Sequence, residues 1–338
     1  MSLQHDQIPE IALQWHRAGK GAVLATVVQT WGSAPRPVGS QLAVSGEAEI
    51  MGSVSGGCVE SAVVAEALER IEDGTCTVLE FGVSDDDAFA VGLACGGTIR
   101  VMVEPVGHGD GVPEEMLAEI VAARAGRRAL GIETDTANWT RKVVSYAERA
   151  SAFDDDRPGF DVSGHRFLWV SNPPLRLVVV GAVHITQPLA QMAKLTGYDV
   201  TIVDPREAFA SAARFPEHTL SHDWPDAALK AHGLDHRTAL VTLTHDPKLD
   251  DPAIATALRS NVFYIGCLGS SRTHRKRVAR LAEQGFTDSE IARIDAPVGA
   301  DIGAKSPAEI AVSVMAELTE RLRRPTTRPG MISADAAA

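Results

Sequence analysis

Apolar and polar positions follow two different rhythms along this chain, and the change falls near residue 172. In the first half, Glu10–Gly19 sets Ile11, Leu13 and Trp15 among polar neighbours and predicts a short amphipathic helix. Gly21–Thr30 is apolar and β-branched almost throughout, as a buried strand should be. After the turn-rich stretch Trp31–Ser40, the segments Gln41–Ser45 and Glu49–Val54 predict a hairpin, and Val59–Ile71 predicts a helix. Thr77–Gly82 and Thr98–Glu104 read as strands bracketing a loop, Val83–Gly97. Gly107–Gly111 marks a break, and Pro113–Ala125 predicts a helix. Arg128–Val170 shows no clear period. Its acidic middle, Phe153–Gly164, predicts an exposed loop.

Ser171-Asn172-Pro173-Pro174 interrupts any regular element and sets the expected domain boundary. Beyond it the rhythm becomes strand, helix, strand, helix. Arg176–Val180, Asp199–Val203, Thr238–Thr244 and Val262–Leu268 read as buried parallel strands. Thr186–Leu195, Asp250–Arg259, Arg272–Gln284 and Pro307–Arg323 read as helices. Thr287–Glu290 and Ser306–Glu309 each fit a capping box. This alternation predicts a doubly wound, Rossmann-like parallel sheet. The expected organisation is an α/β protein with a mixed α+β domain over 1–172, a Rossmann-like domain over 173–324 and a disordered tail over 325–338.

Composition narrows the function classes. The chain has 338 residues, a formal net charge of −12 and a pI of about 5.4. That balance argues against nucleic acid or an anionic membrane as the main partner, since both call for excess Lys and Arg. The four cysteines, Cys58, Cys76, Cys95 and Cys267, are scattered and lack zinc-site spacing, which suits a reducing compartment. Met1–Pro9 has no signal-peptide pattern, and the apolar stretch around Leu175–Val183 is too short to span a bilayer. Cytoplasmic residence is the expectation.

Candidate chemistry concentrates in two glycine–cysteine loops. In Ser53–Glu60 a strand ends, Gly56 and Gly57 permit a close-approaching backbone, and Cys58 opens a helix. Amide groups and the positive end of a helix dipole favour an anion there and lower a thiol pKa. Alternatively, Cys58 is a small buried side chain beside a structural turn. Gly92–Gly97 repeats the pattern with Cys95, Gly96 and Gly97. Cys76 and Cys267 lack this setting and are assigned to packing.

In the second half, Gly181 opens the turn where a dinucleotide site would begin, but Val183 and Thr186 stand where a glycine and a small residue belong. Asp204 ends the next strand, as a ribose-binding acid or as a cap of the turn before Pro205. His245 and Asp246, with Asp250 and Asp251, form either a cation site or a polar turn with a helix cap. Ser270, Ser271 and Arg272 begin a basic helix, a phosphate seat or a solvated face. Lys305, ahead of the last capped helix, is a further ligand-facing candidate.

The segments ATVVQTWGSAPRPVGSQLAV, GSVSGGCVESAV and FGVSDDDAFAVGLACGGTIRVMVEP closely resemble the N-terminal domain of the XdhC/CoxI family. RLVVVGAVHI, THDPKLDDPAI, YIGCLGSSRTHRKR and PVGADIGAKSPAEIAVSVMAEL resemble its C-terminal half. The resemblance covers most of the chain except Gly107–Val170 and the tail. It implies a chaperone that binds the molybdopterin (molybdenum) cofactor as cargo. Such a protein shields the cofactor while a cysteine desulfurase supplies its sulfido ligand, then delivers it to xanthine dehydrogenase or a related molybdenum hydroxylase. It further implies that Cys58 contacts the molybdenum through the cofactor, with Cys95 second. Gly56, Gly57, Gly96 and Gly97 would admit the pterin or its phosphate, and Arg36, between two prolines, would neutralise phosphate or is a surface arginine on a rigid loop. A homodimer is the expected assembly.

Two other classes remain in view: an NAD(P)-dependent oxidoreductase, and a maturation scaffold that binds no cofactor. Four scattered cysteines cannot ligate the two iron–sulfur clusters expected of xanthine dehydrogenase itself, so no intrinsic xanthine oxidation is expected.

Overall fold

The computed structural model describes residues 7–32, 36–57, 59–82 and 97–324. Its contacts divide the chain into two compact units, Met1–Pro173 and Pro174–Ala338. The stretch 325–338, expected to be disordered, lies outside the described residues.

The N-terminal unit runs α1 (Ile8–Arg17), β1 (Ala22–Trp31), β2 (Gln41–Ser45), β3 (Ile50–Gly52), α2 (Glu60–Asp73), β4 (Thr77–Phe81) and β5 (Thr98–Pro105). It continues through α3 (Glu114–Ala125), β6 (Leu130–Asp135), β7 (Arg141–Ser145), α4 (Ala150–Asp154), β8 (Gly159–Phe160) and β9 (Arg166–Ser171). The first five strands form an antiparallel sheet in the order β3-β2-β1-β5-β4. β1 is largely apolar and buried over Ala22–Val28 because it is central and covered on both faces there. Val23, Ala25 and Val27 pack towards Val63 and Ala67 of α2, whereas Leu24 packs with Leu13 of α1 and Leu117 and Ile120 of α3. That alternation is the two-residue period of a pleated strand.

Arg128–Val170, which carried no legible period, folds as a second antiparallel sheet in the order β7-β6-β9-β8. The exposed loop expected over Phe153–Gly164 is corrected. Phe153 is fully buried in α4 against Val144 and Leu168, and Gly159–Phe160 pairs with β9.

The C-terminal unit contains β10 (Leu175–Val180), α5 (Thr186–Leu195), β11 (Tyr198–Val203), β12 (Thr219–Ser221), α6 (Pro225–His232), β13 (Thr238–Thr242) and α7 (Pro247–Leu258). It ends with β14 (Tyr264–Cys267), α8 (Ser271–Glu283), α9 (Asp288–Ile291), β15 (Ile294–Asp295) and α10 (Pro307–Arg323). Six parallel strands lie in the order β12-β11-β10-β13-β14-β15. Leu177 and Val179 of β10 face Leu189 of α5 and Val314 and Leu318 of α10, while Val178 and Val180 face Leu229, Ile254 and Leu281 of α6, α7 and α8. This is the expected α/β class with a Rossmann-like sheet. Strand order reverses between β10 and β13, so the crevice at their carboxyl ends is where such sheets take ligands. Helix α7 starts three residues earlier than its apolar spacing indicates, because Asp246 caps it by accepting the Lys248 amide at 2.9 Å and Pro247 fits its first turn. Among the described residues, no helix is long and apolar enough to cross a membrane.

Candidate functional site

The Ser53–Glu60 segment joins β3 to α2, and one side chain organises it. Glu60, the first residue of α2, turns its carboxylate back over the loop. Oε1 accepts the Ser55 amide at 2.9 Å and the Ser53 hydroxyl at 3.0 Å. Oε2 accepts the Gly57 amide at 3.1 Å and also the Ser55 hydroxyl. Burial opposes the charge on Glu60, but hydrogen bonds from Ser55 and Ser53 outweigh it and hold its pKa below the usual carboxylate range. The anion expected at this helix start is therefore supplied, at these two amides, by the chain's own carboxylate. Gly57 has φ +107 with open space around its α-carbon, so glycine serves backbone conformation there. Gly56 and Gly57 are both exposed, and Val54 and Val59 on either side are fully buried. The loop is thus pinned at both ends and open at its tip.

Cys58, Cys95 and Gly96 lie outside the described residues. Gly97 is half-buried, immediately ahead of β5. Arg36 is half-buried, and its Nε has no hydrogen-bond partner among the described residues. The remaining cysteines are chemically quiet. Burial, reinforced by Glu104, pushes the Cys76 thiol up to about 12, and burial does the same to Cys267. Cys76 Sγ donates to the Asp110 carbonyl at 3.2 Å and lies 3.3 Å from Arg141 Nη2. A cavity of about 20 Å³ lined by Thr26, Gln41, Glu104 and Thr134 with apolar neighbours has room for one water, not for a cofactor.

At the carboxyl edge of the C-terminal sheet, the turn after β10 satisfies its own donors. Asp204, fully buried, accepts the Ala182 amide at 2.9 Å. It also accepts the Arg206 amide at 3.0 Å and Arg206 Nε and Nη2 at 2.8 and 2.7 Å. The Val183 amide donates to Thr186 Oγ1 at 3.3 Å. The Ala182 and Val183 amides, and the acid that would meet a ribose, are engaged internally. Gly181, buried with φ +111, lets the turn approach β13's following loop: a Cβ there would sit 2.7 Å from Thr244 Cγ2. Arg206, held by Asp204 and stacked 4.1 Å over the Phe209 ring, is the group this edge presents. Its place two residues beyond an acid-ended strand was the available signal for it.

Of the two readings of the next turn, the helix cap is the one formed. Asp246 caps α7, Asp250 accepts from Thr244 Oγ1 at 2.7 Å, and Asp251 pairs with Arg280 at 3.0 Å. Among the described residues, no group of three or more His, Cys, Asp or Glu is placed to hold a metal. Ser270 caps α8 by accepting the Thr273 amide at 3.3 Å, and Ser271 and Arg272 are exposed. Lys305 is exposed, its amide donating to Glu309 at 2.8 Å in the cap of α10.

Residues 177–318 match the XdhC Rossmann domain, and residues 15–82 match the XdhC and CoxI family. The chain is 31% identical to a protein of Escherichia coli (strain K12) named molybdenum cofactor insertion chaperone PaoD, over 93% of this chain and 87% of that one. The chain belongs to the XdhC and CoxI family. A second relative, from Bacillus subtilis (strain 168) and named as a probable xanthine dehydrogenase subunit, is 30% identical over 90% of this chain and 94% of its own. A solved structure from Bacillus halodurans, described as a xanthine dehydrogenase, superposes with a TM-score of 0.73 at 22% identity and covers 96% of each chain. At that identity the likeness establishes the shared fold alone. Within the family match, the first segment contains the whole Ser53–Glu60 loop and the second contains the Asp204–Arg206 turn and the start of α8.

Proposed function

We propose that this chain binds the molybdenum cofactor as cargo, holds it during sulfuration, and inserts it into a molybdenum hydroxylase such as xanthine dehydrogenase. The observation that carries this reading is the near full-length likeness to the relative named as an insertion chaperone. Local chemistry supports it. The loop leading to Cys58 is anchored by Glu60, and its exposed glycines allow close backbone approach by a flat ligand. A thiolate is a soft ligand suited to molybdenum, and Arg36 Nε, without a partner among the described residues, is a donor for the cofactor's phosphate. A cysteine desulfurase is the sulfur donor in this reading, and the working assembly is a homodimer in the cytoplasm. NAD(P) chemistry draws no support from the turn after β10, where the Ala182 and Val183 amides and Asp204 are bonded internally.

The test is reconstitution. Cofactor-loaded protein mixed with a cofactor-free molybdenum hydroxylase should restore hydroxylase activity faster than free cofactor at equal concentration. Equal rates with and without the protein would sink the insertion role.

A further inference from the structure

Helix α8 begins at the carboxyl edge of the parallel sheet, directly after β14. Ser270 caps it and takes the Thr273 amide. The amides of Ser271 and Arg272 make no hydrogen bond among the described residues, so two donors and the positive end of a thirteen-residue helix stand open at an exposed loop.

A second observation lies beneath the same turn. Arg277 is 2% exposed, and its Nη2 donates to the carbonyl of Leu268, two residues before the cap, at 3.2 Å. Its Nε and Nη1 have no partner, and neither does Nδ1 of His274, one turn closer to the helix start. Asp250 bonds Thr244 through Oδ1, and its Oδ2, which has no hydrogen-bond partner, stands 3.9 Å from Arg277 Nη2. A buried guanidinium with two empty donor positions is costly, because each unsatisfied group keeps its desolvation penalty. Arg272, Arg275 and Lys276, all exposed, add positive charge around the helix start. Asp250 faces only the Nη2 side, so Nε and Nη1 still lack an acceptor.

We propose that the start of α8 and the buried Arg277 together form a phosphate-binding site in the C-terminal unit. The ligand is a phosphoryl group, whether free phosphate or the phosphate of a larger molecule. Its oxygens take the Ser271 and Arg272 amides and reach the unpaired face of Arg277. Tetrahedral oxygens suit both a helix start and a guanidinium fork. The site is argued from residues of the C-terminal unit alone, and its failure would leave the cargo reading untouched.

Two substitutions isolate the two halves of the site. Ser271→Pro removes one amide donor at the first helical position, where proline is well accepted. Ser270, at φ −70 and ψ 162, already has the backbone that must precede a proline. Arg277→Met removes the guanidinium at similar volume. Inorganic phosphate is titrated calorimetrically into the full chain and both variants against a chloride control of equal ionic strength. Wild type should bind phosphate specifically, and each variant about tenfold or more weakly, as expected for a lost charged hydrogen bond. If Arg277→Met fails to fold, Ser271→Pro alone decides the matter. No phosphate-specific heat in wild type, or unchanged affinity in Ser271→Pro, would overturn the site. AMP and adenosine then identify the source. AMP binding tighter than phosphate with adenosine inert marks a nucleotide, and equal affinity for AMP and phosphate marks the phosphoryl group alone. Both results uphold the site.

Discussion

Glu60 accepts the amide of Ser55 at 2.9 Å from the first turn of its own helix, folding a carboxylate back onto the loop that precedes it. With Gly57 and the two serine hydroxyls it fixes the backbone immediately before Cys58. Glu60→Ala should therefore loosen this loop. The half-exposed site keeps the cost modest, about 1 kcal/mol, read as a lower urea midpoint with an unchanged slope. Amide exchange at Ser55 and Gly57 should accelerate in the same variant.

Asp204 gives a pH prediction. Burial opposes its charge, but hydrogen bonds from Arg206 and Ala182 outweigh this and lower its pKa. A carboxylate depressed in the folded state adds stability above its unfolded pKa of about 3.9, and loses it as pH falls through the lower folded value. Asp204→Asn should cost about 2 kcal/mol at pH 7 in urea unfolding. The gap between wild type and variant should close below about pH 4.

Arg141 and Glu104 should behave oppositely. Burial raises the Glu104 pKa, and Arg141, at 2.9 and 2.8 Å from Oε1, is its ionic partner. Arg141→Met strands that carboxylate and should destabilise the protein by about 3 kcal/mol at pH 7. Glu104 then takes up a proton in the folded state well above its unfolded pKa, so folding binds protons and the penalty shrinks as pH falls. Unfolding curves at pH 5 and pH 7 test the sign.

Gly181→Ala meets Thr244 Cγ2 at 2.7 Å and the Thr244 amide nitrogen at 3.2 Å, at φ +111. Strain and overlap together should cost about 2–4 kcal/mol. A thermal melt showing no change would remove the packing explanation for this glycine.

The sequence disclosed the fold where burial is one-sided or complete. β1 and β10 are apolar on both faces and stand out as continuous runs. It hid β6, because Glu133 occupies a buried position there, paired with Lys142 and Arg149, and so breaks the apolar pattern. Phe153 was hidden for a related reason: one aromatic in an acidic segment fills a core that its neighbours do not signal. At the candidate site, the glycines marked the loop, but Glu60 stood only as a residue of the predicted helix Val59–Ile71. Only the folded backbone shows that its carboxylate reaches Ser55 and Gly57. Asp204 was legible as a special acid, and its partner Arg206 was not, since a pairing two residues apart leaves no periodic trace.

In the proposed function, the chain carries the molybdenum cofactor through Cys58. The most direct measurement is pterin co-purification from cells with an active molybdopterin pathway, comparing wild type with Cys58→Ala and assaying the oxidised pterin by fluorescence. Near-stoichiometric pterin in wild type and a large loss in Cys58→Ala, with an unchanged thermal melt, is the expected result. Pterin absent from wild type even after reconstitution, or retained in full by Cys58→Ala, would contradict it.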